Sequence, residues 1–339
     1  MLRLGLIGCG RIVEEGHAPA LLRLRDRVQV VALADPSPER QHRIGDLLDV
    51  PPAARFADYR EMLRRVRLDC VDIALPHFLH APAVLDCAAA GVHILLEKPM
   101  ATSLEEADRM LAAVERAGVT FSVIHNYLYR PAEQAALRLI GEGQIGRPFL
   151  VRSEGLGGSH YRGATGYDPD WRTRASRSGG GCLIDNAYHN LYLCQALLQS
   201  PVETVYARIR TYFHPIEVED TALLLLEHAN GGTSSVQVSW AVPAGGQRVQ
   251  EVHGTGGTIA FGRDGQPLAV YRQALGAWEY PPVEGAEGNG FPAFFAAFFA
   301  ALEQGAPPPV TGTEARWNLA VVLAAYEAGR TGRPVRVSA

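Results

Sequence analysis

Lysine is almost absent from this 339-residue chain: of its 32 basic residues Lys98 alone is a lysine, and the rest are arginine. So strong a bias follows from a GC-rich coding sequence. Arginine replaces lysine at most solvated positions, but not where a compact ammonium able to lose its proton is needed, which singles out Lys98. A basic excess is absent too. Asp and Glu number 36 and the formal net charge is −4, which argues against nucleic acid or an anionic membrane as the main binding partner. No apolar run approaches the roughly 18 residues of a membrane span; clusters such as Leu223–Leu226 are strand-sized. Met1 leads straight into a strand-like Leu2–Ile7 without a charged n-region or long apolar segment, so a cytoplasmic protein is expected. Cysteine is scarce: Cys9, Cys70, Cys87, Cys182 and Cys194 are odd in number and include no Cys-x-x-Cys pair. They read as reduced, mostly buried thiols rather than a disulfide framework or zinc knuckle, and no metal site is expected.

What is present suits a soluble globular enzyme: 47% hydrophobic and 20% charged residues, in a length that gives a prior of two domains. The first third alternates strands and helices. Leu2–Ile7, Val28–Ala34, Val71–Leu75, His93–Leu96 and Thr120–Ile124 read as strands. Helices are expected from the Gly8-Cys9-Gly10 turn to about Leu24, from His80 to Ala90 before Gly91, and from Ser103 to Gly118. Ser103 with Glu106 three residues on has capping-box spacing. This alternation means βαβ units and a parallel, doubly wound sheet.

In that setting Gly8-x-Gly10 follows a strand and opens a helix, and Asp35 ends the next strand about 20 residues on, as in a dinucleotide fingerprint. Glycine lets the backbone approach a pyrophosphate, the helix N-terminus supplies N–H groups, and Asp35 would take the ribose hydroxyls, favouring NAD over NADP. Arg40, five residues on, would soften that preference and leaves NADP open. Val13 stands where the motif wants Gly or Ala, and an ordinary strand–helix turn is the bland alternative. After about His125 the pattern changes to strands in succession: Phe149–Glu154, Val202–Thr211, Thr221–His228, Thr233–Trp240, Val249–His253 and Thr258–Phe261, with Asn230-Gly231-Gly232 as a hairpin turn. Gly254-Thr255-Gly256-Gly257 lies between strands and reads as a turn, not a phosphate loop. Asp185 and His189, four apart, share one helix face, and supply too few ligands for a catalytic zinc.

Glu97-Lys98-Pro99 at the end of a strand is the most specific feature. Together with Gly8-Cys9-Gly10-Arg11-Ile12, Pro76-His77-Phe78-Leu79-His80, Asn126 to Pro131, Gly179-Gly180-Gly181 with Asp185 and His189, and Gly332-Arg333-Pro334-Val335, it resembles the Gfo/Idh/MocA oxidoreductases over nearly the whole chain. The family takes its name from glucose–fructose oxidoreductase, inositol dehydrogenase and a rhizopine-catabolism protein. Two departures are Ala187, where a Gly is usual, and His77, where an Asn is usual.

The resemblance implies an N-terminal Rossmann domain, residues 1–125, and a C-terminal α+β domain, residues 126–339, on a large, mostly antiparallel open-faced sheet. The last helix, about 314–328, would pack back toward the first domain. It implies NAD held by Gly8, Gly10, Arg11, Ile12, Asp35, Pro76, His80, Glu97 and Lys98. It implies hydride transfer to or from a sugar, inositol or related polyol or keto compound. Lys98 would hold the substrate oxygen as a donor or relay a proton, His189 would take the hydroxyl proton, and Asp185 would orient the imidazole. Asn126, with the loop from about 155 to 178 carrying Tyr161, Arg162, Tyr167, Trp171 and Arg172, would contact substrate. A homodimer or homotetramer is implied. The rivals are a non-catalytic NAD(P)-binding sensor on the same fold and an NAD-dependent glycosidase.

Overall fold

The computed structural model describes every residue except 165–167, 247 and 339, so Tyr167 lies outside the described residues. The chain forms two compact units and enters each more than once. The first comprises Met1–His125, Tyr161–Gly179 and Phe291–Leu319; the second comprises Asn126–His160, Gly180–Gly290 and Ala320–Ala339. The units are therefore interleaved in sequence, where a single division after residue 125 is expected.

In the first unit, β1 (Leu2–Ile7), β2 (Val28–Ala34), β3 (Arg55–Phe56), β4 (Cys70–Ile73), β5 (His93–Leu96) and β6 (Phe121–Val123) form one sheet in the order β3-β2-β1-β4-β5-β6. Every pair is parallel. Leu4, Leu6, Ile7, Val71, Ile73, Ile94, Leu95 and Leu96 are all buried, as a sheet covered on both faces requires. Strand order reverses direction between β1 and β4, and ligands of open α/β sheets bind beyond the strand carboxyl ends at such a point. The helix after β1 is irregular: a π-turn, Val13–His17, runs into Ala18–Arg23. A Cβ on Gly16 in that turn would lie 2.7 Å from the Phe291 ring, which would have to shift. The helix Phe291–Gln304 packs against Ala18–Arg23 and buries Phe291, Phe294, Phe295, Phe298 and Phe299. Ser103 caps Leu104–Ala117 by accepting the Glu106 N–H at 3.2 Å. The returning arm of the box lands one residue early, since the Glu106 carboxylate accepts from the N–H and hydroxyl of Thr102.

The second unit is built on β7 (Pro148–Leu156), β8 (Val202–Arg210), β9 (Thr221–His228), β10 (Thr233–Ser239), β11 (Arg248–Gly254), β12 (Gly257–Phe261), β13 (Leu268–Arg272), β14 (Ala277–Glu279) and β15 (Val335–Arg336). Their order is β14-β13-β12-β11-β7-β10-β9-β8-β15, antiparallel except for β7 beside β10. Gly254–Gly257 is the corner between β11 and β12, a turn as its setting suggests. The helix Tyr188–Leu198 packs on β7 and β10. In β9, Ala222, Leu224, Leu226 and His228 are buried while Leu223 and Leu225 are exposed. Cross-strand register sets Leu225 between Tyr206 and Ser235, and Leu223 between Arg208 and Gln237. The last helix is longer than expected, Gly312–Thr331; its start belongs to the first unit and its remainder to the second. No described helix is long and apolar enough to cross a membrane.

Candidate active site

The turn after β1 sits at the carboxyl end of the first sheet, beside the reversal in strand order. Gly8 has φ +94°, and a Cβ there would lie 2.3 Å from the Ala74 carbonyl oxygen, so only glycine fits. A Cβ on Gly10 would meet nothing within 4 Å. Its open side belongs to a cleft of about 710 Å³, continuous with solvent, lined by Gly8, Gly10, Arg11, Ile12, Asp35, Arg40, Pro76 and Leu79 among others. An approaching pyrophosphate would meet bare backbone and the first N–H groups of a helix, which lack intrahelical partners. Val13, the departure from the fingerprint, is fully buried. The π-turn that begins at this residue is where the structure differs from a regular helix.

Asp35 is part of the turn itself. Its Oδ2 accepts the Cys9 N–H at 2.7 Å and its Oδ1 the Ser37 N–H at 2.8 Å. Each carboxylate oxygen accepts more than one hydrogen bond, so ribose hydroxyls can still be met. Burial pushes its carboxyl above the usual range, against the pull of the Ser37 and Cys9 amides and Arg40. Arg40 is turned inward: its guanidinium donates to the Cys9 and Gly10 carbonyls and to Glu14. It braces the glycine turn and is committed there.

The same cleft is lined by Tyr161, Gly163, Ala164, Trp171 and Arg172. The sequence reading gives Tyr161, Trp171 and Arg172 to the substrate; the structure brings them to the glycine turn. The physical reason is a stack of cations and rings. The Arg11 guanidinium lies 4.2 Å from the Tyr161 ring centroid, and the Tyr161 hydroxyl donates to Glu15 at 2.9 Å. Arg172 lies over Trp171 at 4.3 Å, and Trp171 meets His77 edge-on at 4.7 Å. His77 Nδ1 contacts the Ser178 carbonyl at 2.8 Å, tying residue 77 to the segment 161–179.

Three residues expected to touch the cofactor, His80, Glu97 and Lys98, do not line the cleft. His80 is fully buried, with Nδ1 on the Pro99 carbonyl and Nε2 on the Leu75 carbonyl, both at 2.8 Å. It straps the ends of two strand–helix connections together. Glu97 is turned to His17, whose Nε2 it meets at 2.9 Å, and its other oxygen accepts the Lys98 backbone N–H at 3.0 Å. His17 Nδ1 meets Asp72 at 2.8 Å. Burial would push the His17 imidazole down, but Asp72 and Glu97 outweigh it and hold the pKa up at about 10. Glu97, despite burial, is held below its ordinary range by His17. Lys98 itself is half-buried at the end of β5.

In the second unit a second π-turn, Leu183–Ala187, carries buried Asp185, and the α-helix that follows carries half-buried His189. His189 Nδ1 meets the Tyr192 hydroxyl at 2.8 Å, and the imidazole lies flat on Tyr127 with centroids 4.0 Å apart. Tyr192 thus holds the imidazole at Nδ1. Tyr127 N–H also donates to the Tyr192 hydroxyl, at 3.2 Å. Asn126 is buried, its amide donating to the Asn289 carbonyl. Glu219 is a residue that sequence reasoning missed. Its carboxylate accepts the Gly181 and Leu183 N–H groups and the Tyr326 hydroxyl, each at 2.9 Å, and so caps the start of this helix. Burial raises its carboxyl, against those same hydrogen bonds. A carboxylate 36 residues from the turn it caps leaves no local signature. Among the described residues no group of three or more His, Cys, Asp or Glu could hold a metal ion.

Comparison with known proteins gives the family. Residues 2–125 match the model of an oxidoreductase family with an NAD-binding Rossmann fold, and residues 134–260 match the GFO/IDH/MocA C-terminal domain. The D-apiose dehydrogenase of Paraburkholderia graminis is 31% identical over 98% of this chain and 88% of its own. The scyllo-inositol 2-dehydrogenase (NAD(+)) of Bacillus subtilis is 26% identical over 99% of this chain and 96% of its own. A levoglucosan dehydrogenase solved with NADH and levoglucosan superposes with a TM-score of 0.88 at 25% identity, covering 100% of both chains.

Proposed function

Because the chain belongs to the Gfo/Idh/MocA family of NAD-binding oxidoreductases, we propose that it is a dehydrogenase or reductase acting on a cyclic sugar, inositol or related polyol or keto compound. The observation that carries this reading is Lys98, the only lysine in the chain, standing at the end of β5 in a first unit whose glycine turn opens on a cleft lined by Gly8, Gly10 and Asp35. NAD, when bound, supplies the hydride acceptor or donor. Gly8, Gly10, Arg11 and Ile12 would receive its pyrophosphate and Asp35 its ribose hydroxyls, with Pro76 bounding the cleft. Arg40, spent on the Cys9 and Gly10 carbonyls, is committed away from a 2′-phosphate, which favours NAD over NADP.

The protein must still move one proton. Lys98 donates to the substrate oxygen as a point charge, a part that a planar guanidinium fills poorly. His189 takes the hydroxyl proton during oxidation and returns it during reduction. With Nδ1 engaged by Tyr192, that traffic falls to Nε2. Asp185 supplies negative charge four residues before the imidazole. Relatives that act on apiose, scyllo-inositol and levoglucosan support a substrate bearing several ring hydroxyls. The test is a panel of pentoses, inositols and anhydrosugars with NAD, followed by nicotinamide absorbance. Turnover should appear with at least one ring polyol and fall by about a hundredfold or more in Lys98→Arg. A Lys98→Arg variant with undiminished turnover would remove Lys98 from the chemistry.

We further assign the protein to the cytoplasm, on the ground that its five cysteines are free and buried. It forms a homo-oligomer through the open sheet face, where Tyr206, Leu223 and Leu225 are exposed on neighbouring strands. Light scattering should give a dimer or tetramer, and Leu223→Arg with Leu225→Arg should give monomers. A parent protein that is monomeric at micromolar concentration overturns that assignment.

A further inference from the structure

His17 takes no part in the chemistry above, yet it is fully buried between two carboxylates. Replacing a buried ion pair by apolar groups of similar shape is often neutral or stabilising, so burial of three ionisable groups is poorly explained by stability alone. Here the arrangement leaves Asp72 Oδ1 buried without a hydrogen-bond partner among the described residues. What the cluster does achieve is connection. His17 ends the π-turn that follows the glycine turn, Asp72 lies on β4, and Glu97 leaves the end of β5. The imidazole reaches both carboxylates through opposite ring nitrogens, while Phe291 and Phe295 close over it with centroids at 4.9 and 5.2 Å. Glu97 then passes the link on, because its second oxygen accepts the Lys98 backbone N–H.

We propose that His17 is a positioning residue for Lys98: set between Asp72 and Glu97, it pins the carboxylate that holds the Lys98 amide and thereby fixes the place and the electrostatic surroundings of the lone lysine. The inference rests on the reading of Lys98 as the group that holds the substrate oxygen. The charged or titratable groups that act on the cluster are Asp72 and Glu97 on His17, and His17, Lys98 and His80 on Glu97, while the Cys9 and Cys70 thiols face Asp72. The phenylalanines add none. The end of the π-turn and Lys98 are in this way joined through a chain of hydrogen bonds, 80 residues apart in sequence between His17 and Glu97.

A chain with one lysine offers a direct test. Trace acetic anhydride labels amines in proportion to their unprotonated fraction, and Lys98 is the only side-chain amine. The labelling rate of its peptide is read by mass spectrometry across pH in the intact protein, in Glu97→Gln, in His17→Gln and in the double variant. Glu97→Gln removes the negative charge next to Lys98, so labelling at a fixed pH below the plateau should be several-fold faster, with the plateau at high pH unchanged. In His17→Gln, Glu97 loses the partner that keeps it ionised against burial and takes up a proton, so Lys98 should again label faster by a similar factor. The double variant should be no faster than Glu97→Gln alone. In turnover, His17→Gln should lower kcat by about tenfold or more, with NADH affinity changed little.

Labelling in His17→Gln that matches the parent overturns the proposal. So does a rate raised equally at the high-pH plateau, the mark of mere loosening. If His17→Gln does not fold, Glu97→Gln decides alone, and unchanged labelling there overturns the link. Retained turnover in Lys98→Arg is a separate result: it defeats the reading of Lys98, while the labelling still reports whether His17 governs the lysine.

Discussion

At the scale of single residues, His17 makes a claim about stability as well as position. Its folded pKa stands at about 10, above its value in an unfolded chain. The stabilisation it contributes is therefore complete below about pH 6.5 and is lost as pH rises toward 10, since only the imidazolium satisfies both carboxylates. Urea unfolding of the intact protein should show free energy falling across pH 7 to 9, with a slope from this one group approaching about 1.4 kcal/mol per pH unit. His17→Gln should be less stable at pH 7 and lack that component of the slope, and two parallel curves would mean that His17 is buried neutral. Nothing in the sequence around His17 announces this, because Asp72 and Glu97 lie 55 and 80 residues away. Lys98 was legible for the opposite reason: a composition nearly free of lysine makes one lysine conspicuous. Asp35 was legible from its spacing to the glycines, whereas its grip on the Cys9 amide belongs to the folded turn.

At the scale of elements, the strands that a reader of the sequence finds are those with continuous or alternating apolar runs. β1, β2, β5 and β9 have the bounds their runs suggest. β3 escapes because two residues, Arg55 and Phe56, carry no periodicity and pair only through the neighbouring strand. The helix Phe291–Gln304 carries its phenylalanines at i, i+3, i+4, i+7 and i+8, one helical face, but the alanines between them leave the opposite face with little polar contrast. The helix bearing His189 shows how an element depends on a distant cap. Glu219 accepts two N–H groups at its start together with the Tyr326 hydroxyl. Glu219→Ala leaves those donors buried and unpaired, for a cost of about 3 kcal/mol; Glu219→Gln keeps one acceptor oxygen and should cost about 1–2 kcal/mol. Because the cap orients the turn that carries Asp185, both variants should lose turnover while NADH fluorescence titration, which reads the first unit, stays near the parent value. Equal stability of Glu219→Ala and the parent would show that the cap is dispensable.

At the scale of the whole molecule, the interleaving of the two units decides what can fold alone. The glycine turn, the parallel sheet and Lys98 all lie within residues 1–125, and the sequence reads as a complete nucleotide-binding domain ending there. The first unit nevertheless draws on Phe291–Leu319 from far along the chain. Phe291 and Phe295 cover His17, and the helix they belong to packs on Ala18–Arg23. Burying five phenylalanine side chains at roughly 2 kcal/mol each is worth on the order of 10 kcal/mol, comparable to the whole net stability of a domain. A fragment of residues 1–125 would expose that seam and open the buried charge cluster to water. It should show strand and helix by circular dichroism but no cooperative urea transition, and it should bind a dye specific for exposed apolar surface. Joining residues 291–319 to it through a flexible linker should restore a cooperative transition and measurable NADH binding, whereas the same linker with Phe291, Phe295 and Phe298 changed to serine should not. If residues 1–125 alone unfold cooperatively and bind NADH as the intact protein does, the late helix is an accessory to the nucleotide-binding unit, and the charge cluster at His17 holds without its aromatic cover.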